Sequence, residues 1–212
     1  MFFQVYEAFY QLSVRNVKKA SSLFMECVAT FTCTELCTYK QFMFYALVTS
    51  VISLNRNELR KKVINDAHVI TVIRDLPSVQ LLITGVYNCD YAGVFKAILA
   101  VYPGLTADRF LNPLSVYIIR EIRILSYSQF LEAYKSVMLS SMATSFNVST
   151  AFLDGELSRF IAAGRLTAKI DKVGDMIETS RSDKKNVQYQ NIVKKGDLLL
   201  NRIQKLVRVI DV

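Results

Sequence analysis

Apolar residues between positions 2 and 103 recur mostly three and four apart, with polar residues between them. Val17, Ala20, Phe24, Cys27, Val28 and Phe31 form the clearest such stripe, the mark of a helix packed on one side. The pattern predicts helices over 2–13, 16–30, 38–54, 56–66, 78–88 and 90–102. Asn16, Asn55 and Asp90 fall between them as caps or turn residues. Short helices in close succession stack as a solenoid, each burying its apolar face on the next. No strict repeat recurs, so an irregular helical bundle stands as the alternative. An exposed solenoid end needs a polar cap, and Phe2-Phe3-Gln4-Val5-Tyr6 is not polar. The expectation is that earlier helices precede Met1, or that a partner covers this end. Turns are expected at Pro103-Gly104 and at Asn112-Pro113, with Pro113 opening a linking helix over 114–125.

Beyond residue 125 the pattern tightens. Ser128 is placed to cap a short helix carrying Phe130, Leu131 and Tyr134. Ser136 is placed to cap a second, with Leu139, Met142, Ala143 and Phe146 on one face. Ser149 caps a third, whose predicted buried face holds Phe152, Leu153, Leu157, Phe160 and Ile161 and which Gly164 ends. The period then changes to two: Leu166, Ala168 and Ile170 alternate with Thr167, Lys169 and Asp171, as in a half-buried strand. Val173-Gly174 permits a turn, and Met176 to Thr179 return as the partner strand. Three helices followed by a hairpin make a winged helix.

From Lys184 to Ile210 only Gly196 interrupts a helical pattern. Tyr189, Ile192, Gly196, Leu199, Ile203, Leu206 and Ile210 alternate spacings of three and four, a heptad seam that Val193, Leu198, Leu200 and Val207 broaden. Such a helix packs lengthwise on others. An intermolecular bundle is favoured, because nearly seven turns of seam exceed what a small winged helix covers; the alternative folds the helix back on its own domain. The fold class is therefore mainly α, with helical repeats over 1–125, a winged helix with a small β-hairpin over 126–181 and a C-terminal assembly helix over 182–212.

Charge alters what the winged helix is expected to bind. The chain carries 26 Lys/Arg and 18 Asp/Glu, but residues 149–180 hold four of the former and five of the latter. The third helix offers Asp154, Glu156 and one Arg159. Phosphate neutralisation supplies most nucleic-acid affinity, so this helix argues for a protein partner, with nucleic-acid binding kept as an alternative. The excess lies in residues 181–212, with eight Lys/Arg against three Asp/Glu.

Little in the chain points to catalysis or cofactors. No phosphate-binding loop, dinucleotide fingerprint or His-Glu-x-x-His motif occurs, and His68 is the single histidine. Cys27, Cys33 and Cys37 do not follow zinc spacing, and with Cys89 they are expected to be reduced and structural. The longest apolar run, over 42–54, is shorter than the roughly 20 residues of a membrane span and predicts a buried helix. The first residues lack a signal peptide's basic flank and cleavage site, so cytoplasm and nucleus are the expected location. No cofactor, metal, small-molecule substrate or membrane partner is expected.

One resemblance draws these features together. Glu156 to Leu166, followed by Lys169-Ile170-Asp171-Lys172-Val173, resembles the winged-helix signature of the PCI family. More narrowly, the chain is similar to the PCI subunits of the 26S proteasome regulatory lid, in the family of non-ATPase subunit 7. Leu59 to Ile64, Arg120 to Ile124 with Tyr127-Ser128-Gln129, and Lys194 to Arg202 with Gln204-Lys205-Leu206 carry the narrower match. The likeness covers essentially the whole chain and is weaker over 99–112; family members have further N-terminal repeats. It implies a non-catalytic scaffold supporting ubiquitin-dependent degradation. The implied partners are other PCI subunits, metalloprotease-fold subunits of the lid and the ATPase base. Phe152, Leu157, Phe160, Ile161, Leu166 and Ile170 would form the winged-helix core or interface, and Tyr189, Ile192, Leu199, Ile203, Leu206 and Ile210 the assembly seam. A homologous signalosome or translation-initiation PCI subunit is the alternative within this class. Thiol titration of the denatured chain under non-reducing conditions should find all four cysteines free; a lower count would contradict their structural reading.

Overall fold

The computed structural model describes residues 2–179 and 184–210. The first helices are α1 (Phe2–Ser13), α2 (Val17–Cys27) and α3 (Tyr39–Ser53). Asn16 caps α2 through the Lys19 N–H, and Thr38 begins α3 in a reciprocal capping box with Gln41. The apolar run forms α3, which is buried nearly all round (Phe42, Met43, Tyr45 to Val48 and Val51), as a central helix must be. Its buried hydroxyls need partners: Thr49 Oγ1 donates to Tyr45 O at 2.8 Å and Ser50 Oγ to Leu47 O at 2.7 Å.

The next segment departs from expectation in three places. The helix predicted over 56–66 is a single turn, α4 (Arg56–Leu59), running into a π-helical turn over Arg60–Ile64. A further short helix, α5 (Ala67–Ile73), follows, with the Asp66 side chain accepting from His68 N–H at 2.9 Å. After α6 (Pro77–Asn88), α7 (Tyr91–Ala107) continues through Pro103, where a turn was expected. Pro103 lies on the exposed side of α7, where water can satisfy the carbonyl that its missing N–H leaves open. Asp90 caps α7 through Gly93 N–H at 3.1 Å.

A 3-10 turn at Asn112–Leu114 leads into α8 (Ser115–Ala133), and the two expected helices on either side of residue 126 are here one. Ser128 is an exposed mid-helix residue rather than a cap. Nor does Ser136 cap a helix: it begins β1 (Ser136–Met138), and α9 (Leu139–Phe146) starts after it. The helix α10 (Thr150–Ala162) is capped by Ser149, whose hydroxyl accepts from Phe152 N–H at 3.3 Å. Gly164 follows at φ +68°, a conformation that glycine adopts without a Cβ penalty. Strands β2 (Ala168–Asp171) and β3 (Met176–Thr179) complete a three-stranded antiparallel sheet of order β1-β3-β2, in which Val137 and Ile170 both face Ile177. The last element is α11 (Lys184–Ile210).

Two apolar cores meet along α8. Ile118 and Ile122 belong to the core built from α1 to α7, and Ile124, Tyr127, Phe130 and Leu131 to that of the winged helix. The change occurs inside the helix, so the 125/126 division falls within a continuous element. Tyr91 and Phe95 of α7 reach across to the second core and pack on Phe146, with ring centroids at 4.8 and 5.5 Å. Tyr127 and Phe130 contact the same ring at 5.1 and 5.4 Å. Fully buried Phe146 is thus the hub of a five-ring cluster drawn from three helices.

Two ion pairs lock α8 to the winged helix. Arg123 Nη1 donates to Glu156 Oε2 at 2.8 Å, and Tyr127 Oη approaches the same oxygen at 3.5 Å. The Tyr127 hydroxyl is held well above its usual pKa, first by burial and then by the Glu156 carboxylate. Arg165 pairs with Glu121, whose carboxylate is also buried. Such pairs fix an arrangement more than they add stability, but stranding one partner is costly. Arg123→Met should lower stability by about 3 kcal/mol in urea unfolding. Adding Glu156→Leu should recover a large part of that loss, whereas strictly additive losses would show that the two side chains are not coupled.

Candidate assembly surfaces

The exposed side of α10 carries little positive charge. Glu156 turns inward to Arg123, and Asp154 lies 3.6 Å from Lys172. Arg159 is then the one cation on the exposed side of α10, beside Ala151, Phe152 and Ser158. Leu157, Phe160 and Leu166 are buried in the winged-helix core, while Ile161 and Ile170 pack half-buried against it. Phe152 is the exception. It was expected on the buried face but is 44% exposed, because at about 100° per residue it is turned away from the arc of Leu153, Leu157 and Phe160 that the core covers.

Phe152 instead borders a cleft of about 450 Å³ between α7, α8 and the α9–α10 turn. Leu99, Tyr102 and Phe95 line its apolar wall, and Lys96 and Arg123 lie at its edge. Sequence patterning missed this surface, since Leu99 and Tyr102 fit a helical stripe as core residues would. Only their position close to Pro103, on the side of α7 where a proline is tolerated, could have signalled exposure.

Among the described residues, both outer strands of the sheet, β1 and β2, have one side unpaired. Their shortness and the exposed Lys169 and Asp171 on β2 limit unspecific pairing.

The strongest surface is α11. Tyr189, Ile192, Leu199, Ile203 and Leu206 lie along it with 54% to 68% of their surface exposed, and Val193, Leu198, Leu200 and Val207 are similarly open. Ile210 ends the helix, and its side chain lies outside the described residues, as do residues 180–183 at the expected 181/182 division. The alternative in which this seam folds back on its own domain is overturned: those side chains would then be buried.

Among the described residues, no group of three His, Cys, Asp or Glu side chains could hold a metal. His68 is exposed on α5. Cys27, Cys33 and Cys37 are buried, and burial together with the neighbouring Cys33 pushes the Cys37 thiol up to about 11, far from a reactive thiolate. No described helix is long and apolar enough to cross a membrane.

Comparison with known proteins places these surfaces in a family. Residues 1–62 match the model of 26S proteasome subunit RPN7, residues 99–181 the PCI domain, and residues 188–210 the C-terminal helix of 26S proteasome regulatory subunit RPN7/PSMD6. The 26S proteasome non-ATPase regulatory subunit 6 of Dictyostelium discoideum is 50% identical over 209 residues, covering 99% of this chain and 55% of that protein. Its homolog in Arabidopsis thaliana is 48% identical over 208 residues, 98% of this chain and 54% of the relative. COP9 signalosome complex subunit 1 of Arabidopsis thaliana is more distant, 26% identical over 153 residues and 72% of this chain. The chain spans about half the length of the proteasome relatives it matches. A helical array running into a PCI winged helix, with a C-terminal helix of its own recognised type, identifies the chain as a member of the RPN7 (non-ATPase regulatory subunit 6) family of 26S proteasome regulatory subunits.

Proposed function

We propose that the chain is a non-catalytic scaffold of the proteasome regulatory lid, in cytoplasm and nucleus, serving ubiquitin-dependent degradation. Its winged helix sits beside those of other PCI subunits, and α11 enters a helical bundle shared with further lid subunits, the metalloprotease-fold subunits among them. The ATPase base is a further partner.

One observation carries this reading: the nine large apolar side chains left exposed on α11 among the described residues. Burying each would contribute roughly 1–2 kcal/mol, so the whole face offers on the order of 10 kcal/mol before the entropic cost of association. A lone chain forgoes that energy, and a bundle recovers it. The inward-turned Glu156 supports protein partnership for the winged helix, because a single exposed Arg159 gives α10 little purchase on phosphates.

The signalosome alternative is disfavoured by 26% identity to its subunit 1 against 48% and 50% to the proteasome subunits. Affinity purification separates the two, since ATPases and 20S particles should accompany the chain only if it joins the proteasome. Truncation after Arg181 should leave a domain with native circular dichroism and cooperative melting that no longer enters the lid. Incorporation of the truncated chain at the normal level would contradict the role given to α11.

A further inference from the structure

The charges bordering the apolar face of α11 specify its partner more closely, on the reading that α11 is an assembly helix. At 3.6 residues per turn, Ile192, Val193, Leu199, Leu200, Ile203 and Leu206 fall within one arc of about 140°. This arc is broader than a two-stranded seam, so more than one neighbour is needed to cover it. Its two borders differ. Lys195 and Arg202, one heptad apart, lie along one border, whereas Gln190, Asp197, Gln204 and Arg208, which together carry no net charge, lie along the other.

Over 184–210 the helix holds seven Lys/Arg and one Asp, a net charge of +6. Among the described residues, no carboxylate pairs with Lys195 or Arg202. A second copy of α11 would bring another +6 against this face, so self-association is opposed by like charge.

We infer that the helix docking on the Lys195 and Arg202 side of α11 carries an acidic rim, with carboxylates one heptad apart facing these two cations. Apolar contact holds the helices together, while the paired charges select the partner and its register.

The test is recovery of proteasome subunits with the tagged, intact chain from cells. Lys195→Glu with Arg202→Glu should lower recovery roughly ten-fold, because attraction becomes repulsion. Lys194→Glu with Lys205→Glu makes the same change in net charge on the side of the helix opposite the apolar arc, and recovery should stay near that of the unaltered chain. Leu199→Asn with Ile203→Asn should abolish recovery. Circular dichroism and cooperative melting of each purified variant check that the core built from α1 to α10 remains folded. If the border variant is recovered normally while the seam variant is lost, the acidic rim is refuted and the assembly helix stands. Equal losses for the border and back-face variants would assign the effect to net charge and equally refute it. Normal recovery of the seam variant would refute the assembly reading beneath it.

Discussion

The structure depends on α8 being one unbroken helix with two buried faces. Its first half closes the core of the helical array through Ile118 and Ile122, and its second half begins the winged helix through Tyr127, Phe130 and Leu131. Neither half could tilt independently, because a helix transmits a change of direction along its length unless a kink absorbs it. The Phe146 cluster adds a second tie, since Tyr91 and Phe95 come from α7 and pack on a ring from α9. The Arg123–Glu156 and Arg165–Glu121 pairs then set the rotation of the winged helix about α8. The helical array and the winged helix are thereby held in one fixed relation, which suits a part whose neighbours must find both surfaces at once.

Sequence periodicity reached much of this fold, and its failures have identifiable causes. The stripe on α2 and the apolar run of α3 are strong because burial on one or all sides repeats over several turns. By contrast, β1 has three residues, too few to show a period of two, and Ser136 has a cap's chemistry without its setting. The pairing of β1 with β3 joins residues about forty apart in the chain, which no local pattern reveals. The same distance hid the ion pairs: Glu156 read as one charge on an acidic helix, whereas its partner Arg123 lies 33 residues earlier. Phe152 was misplaced because periodicity identifies a stripe without revealing whether anything covers it.

For α11 that same ambiguity is informative. The heptad seam was legible in sequence, but only the structure shows that the chain's own domain leaves it open. Residues 2–179 hold both buried cores, whereas α11 leaves its large apolar side chains open. An isolated helix draws most of its stability from packing, so α11 should be only marginally formed until partners cover it.

Hydrogen exchange on α11 tests this most directly, with the isolated chain compared to the chain within assembled regulatory particles. The account predicts fast exchange over 189–208 in the isolated chain, slow exchange over the same residues in the particle, and strong protection of the α8 core in both. Equal protection of α11 in the two states would contradict it.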